Sequence, residues 1–165
     1  MVTTSRSATF VSLRIGPGED LIARMLDVFD SQNSSGGALV SAAGSLEFLR
    51  YAVAVRDAAG IPRYSNILEE TGAIEITSLQ GHLGREADDA PTLHLHGTFV
   101  LEDSTLRAGH VFGARALITV ELTLLLADGV RWDRRTIDVG RGHQMPILVP
   151  VSNVVPECQA RDEPR

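Results

Sequence analysis

The chain has 165 residues, of which 44% are hydrophobic, 22% charged and 5% aromatic, and carries a formal net charge of −6. That length and balance fit one soluble globular domain able to bury a sizeable core. The acidic charge argues against a general electrostatic grip on nucleic acid, which needs clustered basic residues. The looser group Arg131, Arg134, Arg135 and Arg141 reads as a solvated strand and loop. Residues 1–8 have no apolar signal-peptide region, and the longest apolar stretch, Ala116 to Ala127, contains Glu121 and is too short to span a bilayer. The one cysteine, Cys158, can form no internal disulfide, so a cytoplasmic protein without membrane attachment is the simplest expectation.

In chain order, Thr9 to Ile15 alternates as a strand and stops at Gly16-Pro17-Gly18. Glu19 and Asp20 open a helix whose Leu21, Ile22, Met25, Leu26 and Phe29 share one face, so it covers a sheet. After the Ser/Gly-rich loop from Ser31 to Gly37, nearly everything reads as strand. The expected segments are Gly37 to Ala43, Glu47 to Val55, Ala73 to Leu79, Thr92 to Thr98, Leu106 to Phe112 and Arg115 to Leu126. Asp128-Gly129 is a hairpin signal from which Val130 to Ile137 can return. The pattern predicts an α+β fold, a mostly antiparallel sheet with one or two packed helices. The chain divides into a flexible N-terminus (1–8), the domain (9–139) and a Pro-rich C-terminal tail (140–165). Ile147, Leu148 and Val149 are expected to pack that tail back over the domain.

His94 and His96 alternate along one strand, so both side chains leave the same face, roughly 6.5–7 Å apart at Cα. Leu93, Leu95 and Phe99 point the other way. A turn through residues 102–105 can bring a partner strand alongside and place His110 near the pair. Three histidines with an open fourth position are the ligand set of a catalytic zinc site, although other divalent transition metals can use them. Glu102, Asp103 and Glu121 are the nearby acids that could receive the other ring nitrogens. His82, between glycines, reads as an exposed turn residue, and His143 as a loop residue facing water. There is no Walker-type phosphate loop, no nucleophile elbow at Gly44-Ser45, and no neighbour that would activate Cys158.

Pro17-Gly-Glu-Asp-Leu21, Ser41-Ala-Ala-Gly-Ser-Leu46, Gly72 to Gly81, Leu93-His-Leu-His96 and Ala108-Gly-His110 follow one another in an order that resembles the plants and prokaryotes conserved (PPC) domain, over about residues 10–127. The resemblance implies an α+β fold assembled as a homotrimer, with sites at subunit boundaries. Plant members add a basic AT-hook and bind A/T-rich DNA. This chain has no such segment, and Ala73 and Ile74 replace the Arg and Phe of the plant motif. Prokaryotic members often keep His-x-His followed by Gly-His as an apparent metal site, which His94, His96 and His110 match. A similar broad fold occurs in α-acetolactate decarboxylase, a zinc enzyme with a three-histidine site, but fold alone does not fix function. The expectation is a zinc-dependent lyase or hydrolase acting on a small polar carbonyl or carboxylate compound. Glu75, where the family pattern keeps an acid, or Glu47 would move the proton, and Arg115 or Arg50 would hold a substrate carboxylate. The alternative is a homotrimeric regulatory or DNA-associated module without catalysis.

Overall fold

The structure is a computed structural model that describes residues 2–5 and 7–152. Its elements are β1 (Ala8–Ile15), α1 (Leu21–Ser31), β2 (Gly37–Ala52), β3 (Ala54–Arg56), β4 (Pro62–Tyr64), β5 (Leu68–Arg85), β6 (Pro91–Leu101), β7 (Leu106–Ala127), β8 (Val130–Asp138) and β9 (Gln144–Ser152). The side chain of Asp20 accepts the Ala23 backbone N–H and so caps α1 at the predicted start. Leu21, Met25 and Phe29, one helical turn apart, enter a core shared with Leu83, Leu95, Phe99 and Leu124. Arg85 ties the end of this helix to the sheet. Its buried guanidinium donates to the Ser34 carbonyl at 2.6 and 3.0 Å and to Asp30 at 2.5 Å, with its charge 4.9 Å from the centre of the Phe29 ring.

β2 pairs antiparallel with β5 and β7, and β6 pairs antiparallel with the same two strands, so this four-strand ladder closes on itself. β1 extends it beyond β7, and β8 with its partner β9 extends it beyond β5. The one parallel step is the β5–β8 bridge, Arg85 opposite Asp133. The mostly antiparallel sheet is therefore as expected, whereas among the described residues the helical part is the single short α1. Among the described residues no helix is long and apolar enough to cross a membrane.

Some local expectations change, and the strands expected at Leu106 to Phe112 and Arg115 to Leu126 are one strand, β7. The strands expected on either side of Gly44 are one strand, β2, interrupted by register shifts. Gly44 has φ 139°, and a Cβ there would lie 2.0 Å from the Thr119 carbonyl oxygen. The glycine marks a bulge in close contact with β7 rather than a break. Asp128-Gly129 does form a turn, but β8 does not return along β7. Both sides of β7 are already occupied at that end, by β1 and β2, and β8 crosses to β5 instead. Within the expected tail, residues 144–152 form β9, where Ile147, Leu148 and Val149 are half-buried. Cys158 and the last Pro-rich stretch lie outside the described residues.

Candidate metal centre

Strand alternation and register together build one cluster. Leu95 and Phe99 of β6 are fully buried in the core, so His94 and His96 leave the opposite face. The tight connection between β6 and β7 sets Val100 opposite Leu106, and the ladder then carries His96 opposite His110. Directly opposed residues share a face, so all three imidazoles converge. Their candidate ligand nitrogens lie within 4.8 Å of one another, and the Nε2 atoms of His94 and His96 are 3.0 Å apart. On the other side of β6, His82 stands opposite His94 and Gln80 opposite His96. Gly81 permits this spacing, because a Cβ there would lie 2.0 Å from the His94 carbonyl oxygen.

His110 is 8% exposed and is covered by the rings of Phe112, 4.4 Å away, and Tyr64, 5.0 Å away. The Tyr64 hydroxyl is 3.2 Å from Nδ1 of His110, which leaves Nε2 as the ring nitrogen free to ligate. Burial pushes the His110 pKa down to about 4, helped by His94, His96 and the Arg134 charge. The His94 pKa is also lowered, first by burial and then by His96, Arg134 and His82. Both rings are therefore neutral near pH 7, with lone pairs available to a cation. Three convergent imidazoles, one of them oriented by a hydroxyl, fit a divalent transition metal by donor type and by spacing.

Among the described residues, none of the acids expected behind the histidines hydrogen-bonds to them. Glu102 accepts the Ala73 backbone N–H at 2.6 Å, Asp103 accepts from the backbone N–H and hydroxyl of Thr105, and exposed Glu121 stands opposite Arg14. Among the described residues, none of the four residues expected to do chemistry makes a hydrogen bond or ion pair with the cluster. Glu75 is exposed on β5, opposite Ser45 and Val100, five residues before Gln80 and so roughly 16 Å along the strand. Glu47 pairs with Arg115, which also lies over the Phe48 ring, and Arg50 sits 3.5 Å from Glu69.

The sequence pattern does not announce the roles of three residues around the cluster. Tyr64 arrives on the β3–β4 hairpin, which stands apart from the main sheet. Arg134 of β8 donates to the Thr92 hydroxyl at 2.7 Å and to the Leu93 carbonyl at 2.6 Å. His82 is exposed, but it lies inside the β5–β6 ladder rather than in a turn, and its ring stacks on Trp132. It lines an open cleft of about 470 Å³ with Ala38, Leu39, Gln80, Gly81, His94 and His96. His143 is exposed between β8 and β9, as expected.

The sequence model of the Plants and Prokaryotes Conserved (PCC) domain matches residues 2–127. No curated protein matches the chain. Solved structures do. The "metal-containing protein AF0104" from Archaeoglobus fulgidus superposes with a TM-score of 0.73 at 21% identity, covering 84% of this chain and 93% of its own. A plant- and prokaryote-conserved protein from Pyrococcus horikoshii gives 0.72 at 20% identity, with 85% and 94% covered. A Ralstonia eutropha protein, provisionally named as DNA-binding, gives 0.66 at 14% identity, with 84% and 89% covered. At these identities the likeness establishes the shared fold.

Proposed function

Because the chain belongs to the Plants and Prokaryotes Conserved domain family, we propose that it is a metal-dependent enzyme of that family, holding zinc at His94, His96 and His110. Its substrate is a small polar carbonyl or carboxylate compound, and its reaction a decarboxylation or hydrolysis. The observation that carries this reading is the convergence of three histidine donor nitrogens within 4.8 Å of one another. When bound, zinc supplies a Lewis acid that polarises a carbonyl oxygen and lowers the pKa of water to about 7. The protein's own part is to hold the His110 ring through Tyr64, to shield that ring from water with Phe112, and to keep His94 and His110 uncharged. Catalytic roles for Glu75, Glu47, Arg115 and Arg50 depend on a neighbouring chain bringing them to the histidines.

Elemental analysis of gently purified protein beside a His110→Ala variant tests the metal reading. About one zinc per chain is expected in the wild type and almost none in the variant. Equal metal content in the two would remove His110 from the site.

The reading includes a homotrimer in the cytoplasm. Phe10, Ile118 and Leu106 are 67%, 66% and 63% exposed, apolar surface that association would cover. Light scattering should return the mass of three chains; a monomeric mass would eliminate this part.

The name of the Ralstonia protein offers a second reading, a DNA-associated module. Against it, Arg131 pairs with Asp89 and Asp133, Arg134 with Glu86, and Arg135 with Asp133, so these arginines are largely neutralised. DNA binding that weakens steeply with added salt would favour the second reading.

A further inference from the structure

The cleft beside the three histidines has a built wall that metal binding alone does not explain. Two glycines make room for a single indole. A Cβ on Gly84 would lie 2.3 Å from the Trp132 carbonyl oxygen and 2.8 Å from its Cβ, and one on Gly36 would lie 2.9 Å from its Cδ1. Trp132 so placed stacks on His82, with ring centroids 4.3 Å apart and planes inclined by 24°. The imidazole is thus held in one plane, while among the described residues neither of its ring nitrogens is engaged in a side-chain hydrogen bond. An exposed donor with restricted motion loses little entropy when it binds a ligand.

The register places this donor. Ala38 of β2, His82 of β5 and His94 of β6 stand side by side across three strands, and Gln80 and His96 form the neighbouring pair. One face therefore offers a small apolar floor at Ala38, two hydrogen-bonding side chains at Gln80 and His82, and the ligand histidines beyond. Among the described residues, no carboxylate lines this cleft. With a divalent cation added, the complementary ligand is an anion.

We infer that this cleft is the substrate-binding half of the centre and takes a small carboxylate with a short apolar tail: His82 and Gln80 hydrogen-bond the carboxylate, and the tail lies on Ala38. The inference deepens the metal-enzyme reading and rests on it for the position of the reacting atoms. It makes His82 a substrate-binding residue.

The chain contains one tryptophan, so its fluorescence reports on this wall. Zinc-loaded full-length protein is titrated with sodium butanoate, following Trp132 emission and, in parallel, heat by calorimetry. Saturable binding in the millimolar range is expected. His82→Phe keeps an aromatic ring on Trp132 but removes the N–H donor, and should weaken binding roughly tenfold or more with zinc content and melting temperature unchanged. If that variant fails to fold, Gln80→Met on the same face should show the same loss. Equal affinity in wild type and variant, or no saturation in zinc-replete wild type, would overturn the inference. Should the wild type hold no zinc, the metal reading fails separately, and the titration is run on the metal-free chain. Saturation that depends on His82 would then uphold the cleft as an anion site, and its absence would overturn it.

Discussion

Tyr64→Phe is expected to weaken zinc binding roughly 10- to 100-fold while leaving the fold in place. The hydroxyl lies 3.2 Å from Nδ1 of His110 and is the side-chain partner that ring has among the described residues. With Nδ1–H donating to the phenol, the Nε2 lone pair is directed at His94 and His96, and the ring cannot swing between orientations. Phenylalanine keeps the packing against His110 and Phe112 but removes this partner, leaving a buried N–H without an acceptor. Competition against a chromophoric chelator measures the affinity, and a melting curve checks the fold. An unchanged affinity would reduce Tyr64 to a packing residue.

Arg85→Ala should cost about 3 kcal/mol of stability, from the loss of charge-assisted hydrogen bonds at a buried site. The Arg85 side chain is 7% exposed and Asp30 57% exposed, so Asp30 can return to water when its partner is removed. The Ser34 carbonyl, which takes two of the guanidinium donors, loses both. For a chain of this length the melting temperature should fall by roughly 6–12 °C. Metal content should be retained, because Arg85 fastens α1 rather than the histidine strands. A fall of only about 1 °C would show that the rest of the core holds the helix without it.

The sequence announces neither of these two residues, in contrast to the histidines. The histidine triad is legible because each step is local. Period-two alternation puts His94 and His96 on one face, and a short connection sets the register that brings His110 opposite His96. Helix α1 is legible for the same reason, from its cap and one apolar stripe. Tyr64, His82 and Trp132 are not, because pairings distant in sequence bring them to the site. Tyr64 depends on a small hairpin outside the main sheet, and His82 on which residue of β6 it faces. Trp132 depends on β8 crossing to β5, whereas Asp128-Gly129 read locally announces a return along β7. Gly44 misleads in a similar way: a glycine between apolar runs looks like a break until a neighbouring strand is seen to press on it. Among the residues proposed for catalysis, Glu75 rests on the family pattern and Glu47, Arg115 and Arg50 on residue type, and Arg115 pairs with Glu47 and Arg50 with Glu69 on the surface.

The central claim is that His94, His96 and His110 together ligate one metal ion. X-ray absorption spectroscopy of the zinc-loaded protein measures this directly. Three imidazole nitrogens at about 2.0–2.1 Å, with a fourth light-atom ligand, is the predicted first shell. A spectrum without imidazole scattering, or a protein that holds no zinc after reconstitution, would contradict the account.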